Sequence, residues 1–88
     1  MTLTQAKALI KCDALNASQP QTWFDLGCGH GLFSEALHGL LPKDSLIYAI
    51  DKQATTFDNK DIKFLQLDFV KDPLPSVSVD GILMANED

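Results

Sequence analysis

The sequence contains no arginine, and its seven lysines are scattered between Lys7 and Lys71. Twelve aspartate and glutamate residues outnumber them, which gives a formal net charge of -5 at pH 7. A surface that binds nucleic acid needs basic side chains clustered on one face, where they neutralise phosphates. The composition therefore argues against nucleic acid as a partner of this part of the protein.

Cysteine is almost as scarce, since the chain has only Cys12 and Cys28. These residues do not form a C-x-x-C pair, and two thiols are too few for a disulfide framework or a zinc site. We therefore expect reduced thiols, no bound metal and a cytoplasmic location.

Long apolar segments are missing as well. The apolar runs extend over only a few residues, whereas a helix needs roughly 20 to cross a bilayer. The N-terminal sequence MTLTQAKALIKCD also lacks the charged start and apolar core of a signal peptide. The sequence therefore predicts no membrane association.

The segments that are present alternate between helical and strand patterns, and 88 residues allow one core. Apolar periodicity and breaker residues predict helix 3–16, strand 22–26, helix 31–41, strand 45–51, strand 62–69 and strand 79–86. This order predicts a single α/β domain with a parallel sheet and crossover connections. The connection between the second and third strands is short, so we expect at most one or two helical turns there.

The segment FDLGCGHG follows the first predicted strand and places Gly27, Gly29 and Gly31 at alternate positions. Glycine has no Cβ, so it allows a tight turn from strand to helix and a close approach of a ligand to the backbone. The dinucleotide fingerprint G-x-G-x-x-G would require a glycine where Leu32 stands. The turn therefore predicts a nucleotide-like ligand that need not be a dinucleotide.

Two acidic residues at strand ends narrow the choice of ligand. Asp25 lies two residues before Gly27, where its charge would repel a pyrophosphate but attract an ammonium or sulfonium group. Asp51 ends the second predicted strand, where a carboxylate accepts hydrogen bonds from both hydroxyls of an adenine ribose. A 2′-phosphate would be repelled there, which disfavours NADP.

From about Thr22 to Asn86 the sequence resembles the class I S-adenosylmethionine-dependent methyltransferases. FDLGCGHG looks like their glycine-rich first motif, YAID like the second, LQLDF like the third and VDGILMAN like the fourth strand. The resemblance implies a Rossmann-like, mostly parallel sheet with flanking helices, truncated here after about the fourth strand. It also implies S-adenosylmethionine as the cofactor and methyl transfer as the reaction.

The resemblance implies that the glycine turn receives the methionine part of the cofactor. Gly27, Gly29 and Gly31 would form this turn. Asp25 would hold the amino group of the methionine part, directly or through water.

For the remainder of the cofactor, the resemblance implies that Asp51 binds the ribose and Asp68 the adenine amino group. Phe69 would offer its backbone N–H to an adenine ring nitrogen, and Asn86 would stand near the methyl group or the acceptor. Simpler structural roles compete with these assignments, since Asp51 could cap a helix and Asp68 could form a turn.

Two other functions are compatible with the same residues. A nicotinamide-dependent oxidoreductase would share the turn, the helix and the ribose acid, although Leu32 and Asp25 count against a dinucleotide. A non-catalytic cofactor-binding scaffold would also share them. No set of nucleophile, base and orienting acid is evident, so the catalytic residues stay unassigned.

The methyl acceptor, a small molecule or another kind of substrate, is not identified by the sequence. Members of the family continue beyond the fourth strand, so we expect this chain to be the N-terminal, cofactor-binding half of a longer protein. An unpaired fourth strand is a candidate surface for pairing with another chain.

Overall fold

In a computed structural model, which describes residues 1–11 and 18–84, the protein has an α/β fold with a Rossmann-like, entirely parallel sheet. The predicted fold class is thus confirmed. The elements are α1 (Leu3–Ile10), β1 (Thr22–Leu26), α2 (Leu32–Leu40), β2 (Leu46–Asp51), β3 (Ile62–Gln66) and β4 (Gly81–Leu83). Within the described residues, no helix is long and apolar enough to span a membrane.

The strand order β3-β2-β1-β4 determines where a ligand can bind. From β1 the chain crosses to β2 and β3 on one side, and then returns to β4 on the other side of β1. Ligands of open parallel sheets bind beyond the carboxyl ends of the strands, near such a reversal of direction. The glycine turn follows β1 and therefore lies at this edge.

The two faces of the sheet are packed differently. Trp23, Ile47 and Ile62 belong to a core cluster that includes Leu37 of α2. The opposite face contains buried residues of β1 and β2, packed against partly buried apolar residues of the loop that leads to β4. Helix α1 packs on α2 through a smaller cluster around Ala6. Both described helices therefore support the face on which Asp25 lies.

The first helix begins as predicted but is shorter than 3–16. Thr2 and Gln5 form a reciprocal capping box, which satisfies the backbone at the start of the helix. Lys11 adopts an extended conformation with φ -62° and ψ 127°, so the helix ends at Ile10. Ile10 also packs against the core, and the predicted continuation over 12–16 lies outside the described residues.

The later elements also differ at their ends from the predicted bounds. Helix α2 is one residue shorter than 31–41 at each end, because Gly31 is its N-cap with positive φ and Leu41 is extended. Strand β2 begins one residue later than 45–51. Strand β3 ends at Gln66 instead of residue 69, because Asp68 starts a turn whose carbonyl accepts from the N–H of Lys71.

The fourth strand is shorter than the predicted 79–86. Asp80 precedes it and its carboxylate accepts from the Thr22 N–H at 2.8 Å, so a side chain replaces a strand hydrogen bond at this point. Residues 85–88 lie outside the described part of the chain.

The connection between β2 and β3 contains no helix in this structure. His38 of α2 contacts the end of this connection just before β3. Its Nε2 atom lies 3.1 Å from Asp61 Oδ2, and its Nδ1 atom lies 3.1 Å from Asn59 Nδ2. Phe57 packs against Phe64, with ring centroids 6.5 Å apart. Side-chain contacts thus hold a crossover without helix, which agrees with the expectation of at most one or two helical turns.

Candidate functional site

A cleft of about 500 Å³ opens at the carboxyl edge of the sheet. Its walls come from the glycine turn, the end of β2, the segment after β3 and the start of α2: Asp25, Gly27, Cys28, Gly29, His30, Leu32, Phe33, Asp51, Lys52, Gln53, Leu67, Asp68, Phe69 and Val70. This volume is within the range of small-molecule and cofactor sites. The structure therefore brings together Asp25, Gly27, Gly29, Asp51, Asp68 and Phe69 in one cleft.

Two of the predicted site residues are not part of these walls. Gly31 is not among the residues that line this cleft, but it lines a second depression near Phe57 and Glu35, which shares His30 and Leu32 with the cleft. Its contribution is to the turn, as the N-cap of α2. Asn86 lies outside the described residues.

The glycine turn is held in its shape by its own backbone. Gly27 and Gly29 have φ values of +73° and +56°, which side chains rarely adopt. The N–H groups of Gly27 and Cys28 both donate to the carbonyl of Ile50, at 2.8 and 3.1 Å. The turn is thus attached to β2, and most of its N–H groups are already used.

Asp25 is nearly inaccessible, with 1% of its surface exposed, although it lines the cleft. Its Oδ2 atom accepts a hydrogen bond from the Ser34 hydroxyl of α2 at 2.5 Å. Burial raises the pKa of Asp25 from 3.8 to about 6, opposed by the Ser34 hydrogen bond and assisted by the charge of Asp51. This carboxyl group can therefore exchange a proton close to neutral pH.

Asp51 has the opposite electrostatic character. Its Oδ1 atom accepts from the Gln53 N–H at 2.9 Å, and its Oδ2 atom accepts from the Gly29 N–H at 2.8 Å. The hydrogen bond from Gln53 is the main cause of a lowered pKa, and that from Gly29 adds to it. Asp51 is therefore an ionised carboxylate that also clamps the glycine turn, and no helix follows for it to cap.

Asp68 and Phe69 line the cleft from the segment that follows β3. Asp68 is a turn former here, since its Oδ1 atom accepts from the Val70 N–H at 3.0 Å. The Phe69 ring lies over Gly27, and a Cβ atom on that glycine would lie 3.7 Å from its Cε1 atom. Among the described residues, no acceptor binds the Phe69 N–H.

Cys28 has the properties of a packing residue. It is buried, and burial raises the pKa of its thiol to about 12, with further contributions from the charges of Asp25 and Asp51. A thiol of this kind is not a nucleophile at neutral pH. The described residues also contain no group of His, Cys, Asp and Glu side chains that could hold a metal ion.

The residue that sequence reasoning missed is Ser34. It is completely buried and its hydroxyl binds Asp25, although the two are nine positions apart in the chain. A serine within the apolar stripe of α2 is a visible signal, because a buried hydroxyl requires a partner. The sequence does not identify which strand residue that partner is.

Gly31, the last glycine of the turn, and Gly29, the middle one, have different surroundings, which predict different losses of stability on substitution by alanine. At Gly31, with φ +92°, an added Cβ would also overlap the Phe57 ring, 2.6 Å from Cζ. At Gly29 nothing lies within 4 Å of an added Cβ. We expect Gly31→Ala to lower the free energy of unfolding by about 2–3 kcal/mol and Gly29→Ala by only about 1 kcal/mol, measured by chemical denaturation. Equal losses would contradict this prediction.

No protein-family model matches this chain, and no curated protein is similar to it by sequence. The α/β, Rossmann-like sheet and the cleft at its carboxyl edge are thus the basis for assigning a function.

Proposed function

We propose that the cleft binds S-adenosylmethionine and that the protein is the cofactor-binding part of a methyltransferase. The observation that carries this proposal is the pair of carboxylates around one glycine turn. Asp25 is buried and Asp51 is partly exposed and ionised, and both line the same cleft. S-adenosylmethionine offers a cationic methionine part at one end and a ribose at the other, which matches such a pair.

The adenosine part fits the part of the cleft that Asp51, Asp68 and Phe69 line. Each oxygen of Asp51 accepts one backbone N–H and keeps further capacity to accept from a ribose hydroxyl. The Phe69 N–H is available for an adenine nitrogen, and the aromatic ring beside it offers a flat apolar surface. The role proposed for Asp68 is weaker, because one of its oxygens is used in the turn.

The methionine part fits the part of the cleft beside the start of α2, which Asp25, Leu32 and Phe33 line. The carboxyl of Asp25 is a partner for the ammonium group. Gly31 provides no side-chain cap, and Leu32 and Phe33 in the first turn of the helix line the cleft. The N–H groups at such a helix start bind carboxylates well. The open space above Gly29 gives the ligand access to the backbone.

A dinucleotide fits the same cleft less well. Asp25 lies beside the turn in which a pyrophosphate would sit, and its negative charge would repel that group. Leu32 also occupies the position of the third glycine of the dinucleotide fingerprint. These residues favour a cationic ligand over NAD.

In the proposed reaction, the cofactor supplies a methyl group activated by a sulfonium centre, which a nucleophilic atom of the acceptor attacks in line. The residues of the cleft bind and orient the two ends of the cofactor, and orientation is a large part of catalysis in a displacement of this kind. Cys28 is excluded as a covalent nucleophile by its buried, protonated thiol. The acceptor site and any general base are not assigned.

Calorimetry with three ligands tests the proposal. We expect binding of S-adenosylhomocysteine, the demethylated product, weaker binding of 5′-methylthioadenosine, which lacks the ammonium and carboxylate, and no measurable binding of NAD. The difference between the first two ligands measures the contribution of the methionine part. Binding of NAD in preference to S-adenosylhomocysteine would indicate an oxidoreductase, and binding of none of the ligands to the folded protein would refute the proposal.

A further inference from the structure

The contact between Asp25 and Ser34 is a buried polar pair inside an otherwise apolar packing layer. Asp25 is 1% exposed and Ser34 is 0% exposed. Phe33, Ala36 and Leu37, the neighbours of Ser34 on α2, are all buried and apolar. A buried carboxyl group destabilises a fold unless it is neutral or well paired. Burying this pair therefore lowers the stability of the fold, and packing alone does not explain why the pair is there.

The geometry gives the two oxygens of Asp25 different roles. Oδ2 is committed to the Ser34 hydroxyl. Oδ1 has no hydrogen-bond partner among the described residues. Every fully buried polar side-chain atom in that part of the chain does have such a partner, so Oδ1 is not fully buried. Oδ1 is therefore the atom that reaches the cleft, which Asp25 lines. Ser34 holds the carboxyl group so that this free oxygen faces a ligand.

We propose that Ser34 is a positioning residue for Asp25, and that in mildly acidic solution, where the Asp25 carboxyl is protonated, this group releases its proton to solvent when it binds the ammonium group of the ligand. This inference rests on the proposed function, since it describes how the same cleft recognises the methionine part. The exchange is balanced: a neutral carboxyl group and an ammonium ion become an ion pair and a proton in solution. The consequence is that ligand affinity depends on pH.

The surroundings of Asp25 favour a carboxyl group that can take up a proton over one that is ionised at every pH. Asp51 raises the pKa of Asp25 by repulsion, and burial is the larger cause. The groups that can carry charge in the surrounding walls are Asp51, Lys52 and Asp68, with the thiol of Cys28 and the imidazole of His30. The adjacent strand β4 contributes none, because it consists of Gly81–Leu83. Lys52 is exposed at the end of β2, and among the described residues Asp25 has no bond to a cation.

The proton exchange predicts a specific pH profile for binding. The pKa of Asp25 in the free protein is about 6, so the affinity for S-adenosylhomocysteine should rise about tenfold from pH 5 to pH 7 and level off above it. The affinity for 5′-methylthioadenosine should stay constant, because that ligand has no ammonium group. Asp51 does not contribute to this profile, since its pKa is lowered and it is ionised throughout.

Ser34→Ala tests the positioning role through the same profile. The Ser34 hydrogen bond lowers the pKa of Asp25, so its removal should move the midpoint of the profile to higher pH and weaken binding at pH 6. Ser34→Thr keeps a hydroxyl and should restore the wild-type midpoint. Asp58→Asn is the control, because Asp58 is an exposed acid outside the cleft and its removal should leave the profile unchanged.

The outcomes separate this inference from the proposed function. Binding of S-adenosylhomocysteine with an affinity that does not change with pH would overturn the proton exchange and leave the ligand assignment intact. A midpoint unchanged in Ser34→Ala would overturn the positioning role, and a profile lost in Asp58→Asn would show that the titrating group lies outside the cleft. Absence of binding at every pH would overturn both the function and the inference. The wild-type profile suffices to decide the exchange if Ser34→Ala does not fold.

Discussion

Replacement of Asp25 by Asn is expected to weaken S-adenosylhomocysteine binding on the order of 10- to 100-fold. The reason is the loss of a charge-assisted hydrogen bond to the ammonium group, a contact of about 1.5–3 kcal/mol. The amide is close in shape to the carboxyl, and its oxygen can still accept from the Ser34 hydroxyl. The affinity for 5′-methylthioadenosine should not change, because that ligand does not present an ammonium group to residue 25.

The same substitution should stabilise the folded protein at neutral pH. The pKa of Asp25 is raised from 3.8 to about 6, so between these values the folded state binds more protons than the unfolded state. Stability is then lost as the pH rises from about 4 through 6, by about 3 kcal/mol in total. Asparagine has no such loss. Asp25→Asn should therefore melt about 12–24 °C higher than wild type at pH 8 and no higher at pH 4.

Thermal melting from pH 4 to pH 8, with calorimetry for the two ligands, would check both parts. Asp58→Asn is the matched control, because Asp58 is an exposed acid outside the cleft. A variant less stable than wild type at pH 8 would mean that the Asp25 carboxylate supports the fold. Unchanged S-adenosylhomocysteine binding would remove Asp25 from the site. Opposite effects on stability and binding are typical of a residue retained for function.

The parts of this molecule that sequence patterns predict are those encoded by neighbouring residues. The apolar run before Gly27 indicates β1, and the period of apolar residues from Leu32 to Leu40 indicates α2. The capping box of Thr2 and Gln5 lies within four positions. The parallel sheet follows from the order of these elements. Because the carboxyl ends of parallel strands lie at one edge, the sheet in turn predicts which residues meet there.

What sequence patterns do not provide are contacts between distant residues. The clamp from Asp51 to the Gly29 N–H spans 22 positions, and the contact of Ser34 with Asp25 joins a helix to a strand. Spacing alone groups Gly31 with the other two glycines of the turn. In the structure Gly31 lies against the Phe57 ring and lines a second depression with it, and Phe57 comes from a loop that local patterns describe poorly.

The Asp51 clamp leads to a second strong prediction, for Asp51→Ala. We expect the affinities for S-adenosylhomocysteine and for 5′-methylthioadenosine to fall by similar factors, on the order of 10- to 100-fold, because both ligands contain the ribose. The variant also loses the acceptor of the Gly29 and Gln53 N–H groups, so its free energy of unfolding should fall by about 1 kcal/mol at pH 7.

The pH dependence of that stability loss has the opposite sign to the one at Asp25. The pKa of Asp51 is lowered from 3.8 in the folded protein, so its contribution is present above about pH 4 and is lost as the pH falls through the folded value. The difference between Asp51→Ala and wild type should therefore shrink in acid. Asp58→Ala, which removes an equal charge outside the cleft, should change neither affinity.

Comparison of the two acid variants assigns the two ends of the ligand. Asp25→Asn should affect only the ligand with an ammonium group, whereas Asp51→Ala should affect both ligands. If Asp51→Ala left 5′-methylthioadenosine binding unchanged, Asp51 would be a clamp of the glycine turn and not a ribose ligand. If both variants affected both ligands equally, the acids would act through the shape of the turn. Only separate effects of the two variants on the two ligands would indicate that the buried Asp25 binds the ammonium group and the partly exposed Asp51 binds the ribose.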